Sequence, residues 1–422
     1  MILTIGAFAG ASTNARGASE GSAATAADWN VIAVNTVRAA TPAITQVEGL
    51  IYMSYVQASV YDAVTKIEGR YQPYHHFRAP VDKAGASPDA AVVAASYTAL
   101  AYYFPAQAGT LGTTYTSYLA GLPAAGKGAG VAIGVAAAED IIALRTGDGR
   151  DASISTPYGQ GPLTPGVWIF APPPSAQSAQ TPWVAFMKPF TLESPSQFRP
   201  GPPLELTSKK YATQLAELQA YGSATSTVRT AEQTNIAEFW NANAINQINQ
   251  AQRDLASAHG FDLVETARAL AMANLTDSDA GIACFDAKYY YTFWRPVTAI
   301  QHADIDGNAG TTPDPTWTPL LTTPNHPEYP AAHGCLTSSD AEVAAELLDT
   351  QRIEIDIAGA VGRNVTTLTT SRHYATVADL DREIVNARVW AGLHFRDSGQ
   401  VGVDLGRDVA DWALDRYFLP TH

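Results

Sequence analysis

The sequence has little cysteine, little basic charge and no long apolar run. Two of its 422 residues are cysteines, which argues against a disulfide framework or a cysteine-based metal site. Lysine and arginine together number 26 against 40 acidic residues, giving a net charge of −14. No run reaches the ~18 apolar residues that a membrane-spanning helix requires. Neither nucleic acid nor a membrane surface is therefore an expected partner.

Helix signals, by contrast, occur along most of the chain, and no segment shows the strong alternation of a β-strand. Capping residues and apolar periodicity of three and four predict a first helix that begins at Asp28 as its N-cap. Further helices are predicted over 44–67, 87–103, 107–120, 125–145, 207–221, 230–250, 262–274, 277–294, 331–348 and 378–393. The expected fold class is all-α, with two helical bundles in one compact unit.

Four segments are expected along the chain. They are a flexible leader or signal remnant (1–27), an N-terminal helical bundle (28–155), a proline- and aromatic-rich extended segment (156–205) and a C-terminal helical bundle with an anion site (206–422). The leader is a short apolar run followed by small residues, so an exported protein, periplasmic or extracellular, is expected.

Proline is concentrated in the third segment. Twelve of the 26 prolines fall between 156 and 203, a density that prevents regular helix or sheet. Aromatic residues are interleaved with them, namely Trp168, Phe170, Trp183, Phe186 and Phe190. We therefore predict an extended segment that is pinned to the protein by aromatic side chains, with the run 172–174 inside it.

Three long cations and two histidines form the candidate site. Lys288 and Arg295 are seven residues apart in a predicted helix, so both should point to the same side. His333 begins a predicted helix, where free N–H groups favour an anion. Arg388 and His394 arrive from the last predicted helix. Each residue alone is more commonly solvated or structurally paired, but together they predict a site for phosphate or a phosphate mimic.

The two cysteines lie close in sequence to this set. Cys284 is four residues before Lys288, and Cys335 is two residues after His333. If the site residues converge, the two sulfur atoms should approach each other as well. A disulfide in an exported protein and a pair of inert buried thiols are equally compatible with the sequence.

As a set, the motifs of the site resemble a known signature. They are Lys288-(six)-Arg295-Pro296, Tyr329-Pro330-Ala331-Ala332-His333 and Arg388-(five)-His394. This pattern is similar to the three-part signature of vanadium-dependent haloperoxidases and type 2 phosphatidic acid phosphatases. The stretches 61–74, 194–200 and 294–300 are similar to soluble bacterial haloperoxidase-like members, so the resemblance covers most of the chain from about residue 28.

The resemblance implies a role for each position. Lys288, Arg295, Arg388 and the amide of Ala332 would bind the oxygens of vanadate, or of phosphate in its place. His394 would be the vanadium ligand and His333 the acid/base. The implied activity is vanadate-dependent oxidation of halide by hydrogen peroxide, with a small organic acceptor, and the chain could form a homodimer.

Two other functions stay open at this point. In an acid phosphatase, His394 would attack phosphorus and His333 would protonate the leaving oxygen. A non-catalytic relative would bind an oxyanion without further chemistry.

The chain departs from the family pattern at several positions. Ala331 and Ala332 replace the usual Ser-Gly, and the lost hydroxyl should lower oxyanion affinity by roughly tenfold or more. Ala387 replaces the usual serine before Arg388. Ser398 replaces an aspartate four residues after His394, with Asp397 one position early, so the sequence assigns that histidine no orienting carboxylate.

His326, seven residues before His333, occupies a position that lies beside the vanadate in the haloperoxidases. Histidine there resembles bromoperoxidases more than chloroperoxidases and favours bromide or iodide. A histidine that merely caps the following turn explains the same residue equally well.

Overall fold

The structure, a computed structural model, describes residues 21–170, 178–362 and 368–421. These residues form thirteen α-helices, three short 3₁₀ helices and one antiparallel pair of strands. The helices are α1 (Ala23–Arg38), α2 (Gln46–Glu68), α3 (Pro88–Tyr103), α4 (Ala108–Gly121), α5 (Lys127–Leu144), α6 (Lys209–Tyr221), α7 (Ala231–Phe239), α8 (Ala244–Ala258), α9 (Leu263–Tyr291), α10 (Pro296–Gln301), α11 (Ala332–Leu348), α12 (Val377–Trp390) and α13 (Arg396–Leu414), and the strands are β1 (Ile355–Gly359) and β2 (Thr370–Tyr374). The predicted all-α fold class is confirmed, although the strand pair was not predicted.

Helix α9 is the centre of the fold. It is buried along almost its whole length and packs against α1, α2, α8, α11 and α13. The sequence predicts two helices here, over 262–274 and 277–294, and that prediction is wrong. A single 29-residue helix continues through the polar run between them because its side chains have buried partners. Asp279, for example, accepts hydrogen bonds from the backbone N–H groups of Phe190 and Thr191, each at 2.6 Å.

A sharp turn follows α9 and separates the two cations of the first motif. Thr292 has a left-handed conformation with φ 47°, and Arg295 is the N-cap of α10. Lys288 and Arg295 therefore do not share a helix face, contrary to the prediction. The turn is held from outside by the proline-rich segment, since the Trp168 N–H donates to the Thr292 carbonyl at 2.7 Å.

Aromatic side chains of the proline-rich segment do reach the core. Trp168, Trp183 and Phe190 are buried, as the interleaved pattern predicts. Phe186 is 58% exposed and is not an anchor. Residues 172–174 lie outside the described ranges. Phe190, for example, packs against Tyr55 of α2 with 5.7 Å between the ring centroids, so large rings pin this segment to the helices.

Several predicted helix boundaries are wrong. Helix α1 begins at Ala23 with Ser22 as N-cap, so Asp28 lies inside the helix and not at its start. The leader prediction otherwise falls on residues 1–20, outside the described ranges. The predicted helix over 230–250 is split into α7 and α8, because Asn243 caps a new helix with its side chain.

The C-terminal end of the chain is also more helical than predicted. The helix predicted over 378–393 ends at Trp390, and a further helix, α13, follows His394. It packs closely along α11: Gly402 and Gly406 lie where an added Cβ would come within 2.5 Å and 2.3 Å of the carbonyl oxygens of Ala331 and Cys335. None of the helices in the described ranges is long and apolar enough to cross a membrane.

Candidate functional site

The predicted site residues converge, each from a different element. Lys288 lies in the last turn of α9, Arg295 in the turn before α10, and His333 at the second position of α11. Arg388 is in the last turn of α12, and His394 follows in the connection to α13. His326, Ala332, His333, Arg388 and His394 line one cavity of about 130 Å³. The sequence therefore identified which residues meet, though not how the chain brings them together.

The three cations are deeply buried. Lys288 and Arg295 have no exposed surface, and Arg388 is 2% exposed. Burial lowers the pKa of Lys288 to about 8, of Arg295 to about 10 and of Arg388 to about 9. For Arg388 the neighbouring Arg295 guanidinium lowers the pKa further. Such an accumulation of buried positive charge is unfavourable unless an anion compensates it.

Lys288 directs its ammonium group towards backbone oxygens. It donates to the carbonyls of Pro327 at 3.1 Å and of Glu328 at 2.9 Å, and to that of Pro330. All three N–H bonds of the group are thereby engaged. Lys288 thus holds the segment before α11 in place and contributes positive charge to the site from behind.

Arg295 connects three parts of the site. Its Nε donates to the His326 carbonyl at 2.8 Å, and Nη1 donates to the Leu393 carbonyl at 3.1 Å. Nη1 also lies 3.1 Å from His394 Nε2, and Nη2 lies 2.9 Å from His326 Nδ1. Since arginine can only donate, the ring nitrogen of His394 that faces it carries a lone pair.

Glu328 is a site residue that the sequence analysis missed. Its Oε1 lies 2.9 Å from His394 Nδ1 and accepts from the Phe395 N–H at 3.0 Å, while Oε2 accepts from the Ser398 hydroxyl at 2.7 Å. Burial raises the pKa of Glu328 to about 7, although the Ser398 hydrogen bond and the nearby cations oppose that rise. As an ionised carboxylate only accepts, His394 donates from Nδ1, and its Nε2, which accepts from Arg295 Nη1, carries the lone pair.

The carboxylate for His394 therefore comes from a different element than in the family pattern. Ser398 does not replace the aspartate directly but supports Glu328 from that position. Asp397 points elsewhere and pairs with Lys210. The available sequence signal was a single acidic residue in the otherwise apolar approach to His333.

His333 and Arg388 face the cavity with unused donors or acceptors. Among the described residues, neither His333 Nε2 nor Arg388 Nε has a hydrogen-bond partner. Both side chains share the Trp240 carbonyl, which accepts from Arg388 Nη1 at 3.2 Å and also bonds His333. Burial, with Arg388 beside it, lowers the pKa of His333 well below its usual value. The neutral imidazole is thus held by one nitrogen and presents the other to a ligand.

The two alanines place the start of α11 at the cavity. Ala331 is the N-cap without a side-chain hydrogen bond, and its N–H donates to the Ser398 carbonyl at 2.9 Å. Ala332 is the first helical residue, a position whose N–H has no partner within the helix. The Ala332 amide therefore lies at the cavity with no partner inside the helix, and no side-chain hydroxyl stands beside it.

This donor set fits a tetrahedral oxyanion such as vanadate or phosphate. Three buried cations face one carboxylate, an arginine N–H lacks a partner among the described residues, and His394 presents a lone pair on Nε2. His326 adds a second imidazole at the cavity wall, where its Nδ1 lies 3.0 Å from the Pro327 carbonyl as well as near Arg295. His326 therefore contacts both the segment that leads to α11 and the Arg295 guanidinium.

The two cysteines are free and buried. They lie behind the cavity, where Cys284 Sγ is 3.8 Å from the Pro330 carbonyl and Cys335 Sγ is 3.5 Å from the Ala331 carbonyl. Of the two alternatives that the sequence allows, buried thiols are the one that the structure contains.

Comparison with known proteins gives one consistent picture. Residues 268–419 match a family model described as the second helical-bundle domain of VCPO. The structure resembles that of a bacterial vanadium-dependent iodoperoxidase, with a TM-score of 0.77 and 19% sequence identity over 94% of this chain and 98% of that one. It also resembles a bacterial vanadium-dependent chloroperoxidase in its apo form (TM-score 0.69, 20% identity, 87% and 92% coverage) and in its holo form (0.69, 19%, 96% and 94%). No curated protein matches the sequence.

Proposed function

We propose that this chain, whose C-terminal domain matches the VCPO family model and whose fold resembles that of vanadium-dependent haloperoxidases, oxidises halide with hydrogen peroxide in a reaction that depends on bound vanadate. The observation that carries the proposal is the concentration of buried, incompletely compensated cations around His394. A site of this kind is stable when an oxyanion occupies it. Bound vanadate would supply a Lewis acid that activates peroxide without changing its own oxidation state.

The protein's own residues would have distinct tasks. Arg295, Arg388 and the Ala332 amide would donate to the oxyanion, and Lys288 would add positive charge from behind it. His394 would bind the central atom through Nε2, because Glu328 fixes the proton on Nδ1. Together these groups would neutralise and orient the bound oxyanion.

His333 would handle the proton of the peroxide. Its Nε2 has no partner among the described residues and faces the cavity, and its lowered pKa keeps it neutral, so it is ready to accept a proton. The proton that it removes can be returned when the oxidised halide leaves as hypohalous acid.

Bromide or iodide is the proposed halide. His326 lies in the cavity wall against Arg295 and not on the protein surface, so it is placed to contact a small anion that approaches the site. The larger halides are also easier to oxidise, so a site that lacks one oxyanion donor at Ala331 can still process them.

The test is an assay of the purified protein with and without orthovanadate. Peroxide-dependent bromination and iodination of a dye would be followed beside hydrolysis of p-nitrophenyl phosphate. We expect vanadate-dependent halogenation that is lost in His394→Ala, whereas His259→Ala, which removes an exposed histidine just after α8, should have no effect. Hydrolysis that vanadate inhibits would make the protein a phosphatase, and silence in both assays would leave an oxyanion-binding protein.

A further inference from the structure

The cavity extends well beyond the cationic end. Apolar surface in its lining comes from Val47 of α2, Ile248 of α8, Phe285 of α9 and Leu336 of α11, while Gln180, Gln247 and Thr337 add polar groups. A halide ion and hydrogen peroxide need no such surface. The volume of about 130 Å³ includes the cationic end, and a void of roughly 150 Å³ accepts benzene in other proteins, so an acceptor beside a bound oxyanion has room for no more than one small ring.

At the end away from the cations the cavity contains a carboxyl group. Asp340 lies two turns after His333 on α11, so the two side chains are on one face of the helix and about 10 Å apart along its axis. Gln252 donates to Asp340 Oδ1 at 2.8 Å, and Gln247 lines the cavity nearby. The cavity is therefore cationic at one end, has apolar side chains in its walls and can accept a hydrogen bond at the other end.

We propose that this apolar part of the cavity binds the organic acceptor, and that the acceptor is a single-ring, electron-rich aromatic compound whose O–H or N–H group donates to Asp340. The inference rests on the proposed function, because it concerns what receives the oxidised halogen. Bound this way, the ring spans the gap between Asp340 and His333, with the donor group at the far end.

The reaction balances with the reagents that the proposed activity provides. Halide, hydrogen peroxide and one proton give hypohalous acid and water. The electron-rich ring carbon then attacks the halogen: a carbon–halogen bond forms, the bond from halogen to oxygen breaks, and the ring proton leaves with the released hydroxide as water. The aromatic compound is the reductant of the second step, and no further oxidant is needed.

The first test measures binding without turnover. Phenol and anisole are matched probes, since both are electron-rich rings but only phenol has a donor, and each can be titrated against the vanadate-free protein by ligand-observed NMR. Burial raises the pKa of Asp340 to about 7, so the titration is run at pH 8.5, where the carboxyl is ionised. We expect phenol to bind about tenfold more tightly than anisole, because a hydrogen bond to a charged acceptor is strong.

Variants separate the carboxyl from the ring site. Asp340→Asn should lower the affinity for phenol about tenfold and leave that for anisole unchanged, whereas Glu346→Gln, an exposed charge change on the same helix, should alter neither. Ile248→Trp should fill the cavity and abolish binding of both probes, while Ile248→Met, of similar volume, should retain it. The proposal would be overturned if phenol and anisole bound equally well, or if Asp340→Asn left the affinity for phenol unchanged.

A second readout keeps this inference distinct from the proposed function. Iodide oxidation can be followed as triiodide without any organic acceptor, and the ratio of phenol iodination to triiodide formation should fall in Asp340→Asn and in Ile248→Trp relative to the Glu346→Gln control. If vanadate gives no triiodide at all, the proposed function fails, even where phenol still binds. If triiodide forms and the ratio is the same in every variant, the acceptor does not bind in this cavity.

Discussion

At the scale of single residues, the site is a balance between buried charges. Burying the charges of Lys288, Arg295 and Arg388 costs free energy. The lowered pKa values of the three side chains reflect that cost. Glu328 offsets part of that cost and at the same time sets which nitrogen of His394 is protonated. One carboxylate therefore has two consequences, one for the stability of the site and one for its chemistry.

Glu328 gives the sharpest prediction at this scale. Glu328→Gln keeps the size of the side chain but removes its charge, and its amide can donate as well as accept, so the tautomer of His394 is no longer fixed. We expect vanadate affinity and halide oxidation to fall by roughly tenfold to a hundredfold, as for other residues that orient a metal ligand. Vanadate affinity is measured by titration of the apo-protein, and activity as triiodide formation.

A variant that supplies a carboxylate to His394 from position 398 provides the control. In the Glu328→Gln, Ser398→Asp double variant, the new aspartate occupies the position from which the Ser398 hydroxyl now reaches Glu328. Affinity and activity should recover in part. Ser398→Asp alone places two buried carboxylates together and should lower activity. If the double variant is no better than Glu328→Gln, Glu328 has a purely structural role.

At the scale of elements, the turn after α9 decides where Arg295 points. Thr292 is a β-branched residue in the left-handed region, a conformation that costs free energy for any residue except glycine. Its carbonyl is fixed by Trp168 and its N–H by the Lys288 carbonyl, so the surrounding contacts impose the conformation.

Thr292→Gly should therefore stabilise the protein. We expect the free energy of unfolding to rise by about 1 kcal/mol, since glycine adopts this conformation without strain. Thr213→Gly, at an exposed position inside α6, should instead destabilise by a few tenths of a kcal/mol. Both changes can be measured by urea denaturation, and a destabilised Thr292→Gly would show that the threonine side chain makes contacts that outweigh the strain.

The same turn shows which features of the structure could be predicted from the sequence and which could not. The helices predicted to begin at 87 and 230 do begin there, with Ser87 and Thr230 as their N-caps, because capping depends on a few neighbouring residues. The end of α9 was not, since a left-handed threonine has no local signature and is imposed by Trp168, more than a hundred residues earlier. Motif spacing identified the set of residues that meet at the site, whereas the orientation of each side chain depends on such tertiary contacts.

Glu328 was missed for a related reason. Its partner His394 is 66 residues away in sequence, and the family pattern places the orienting carboxylate after that histidine. That α9 is one continuous helix could not be predicted from its sequence either. The polar side chains in its middle form hydrogen bonds with other elements, including the backbone of the proline-rich segment. Local rules assign elements well, but they do not show which buried polar groups will find partners.

The contact between α9 and α11 contains a pair of buried acids with a testable pH dependence. Asp277 accepts from the Ser339 hydroxyl at 2.9 Å, and Asp340 accepts from Gln252. Burial raises the pKa of Asp340 to about 7 and that of Asp277 well above its usual value, with Asp340 raising the latter further. A carboxyl whose folded-state pKa is raised contributes stability fully below its unfolded pKa, and that contribution is lost as the pH rises through about 7.

Asp340→Asn should remove this loss. Between pH 5 and pH 8.5 we expect the wild-type protein to lose stability relative to Asp340→Asn, on the order of 2–4 kcal/mol, because a tenfold difference in acidity between the folded and unfolded states corresponds to about 1.4 kcal/mol. The measurement is urea denaturation of both proteins at each pH, with Glu346→Gln as the variant that should follow the wild type. Parallel curves for wild type and Asp340→Asn would mean that Asp340 is not the group that titrates.

At the scale of the whole molecule, a strongly acidic protein contains a buried cationic centre. The net charge of −14 repels anions at long range, so an oxyanion is retained by the local field of the site. Buried charges are screened weakly by salt. Oxyanion binding should therefore persist at moderate ionic strength, and it should stabilise the fold as a whole, because the site residues come from α9, α11, α12 and the connections between them.

This coupling predicts opposite responses of one variant with and without an oxyanion. At a concentration 100 times the dissociation constant, vanadate or phosphate should add about 2.7 kcal/mol to the stability of the wild type and raise its Tm, while nitrate, which is planar, should not.

Arg388→Met removes a buried cation whose Nε lacks a partner among the described residues, so without an oxyanion its Tm should equal or exceed that of the wild type. With the oxyanion the order should reverse, because the variant loses a ligand. Arg352→Met, which removes a largely exposed charge, should respond to vanadate as the wild type does. A Tm for Arg388→Met that is lower than that of the wild type in both conditions would mean that this arginine holds the fold together and is not kept in place for an anion.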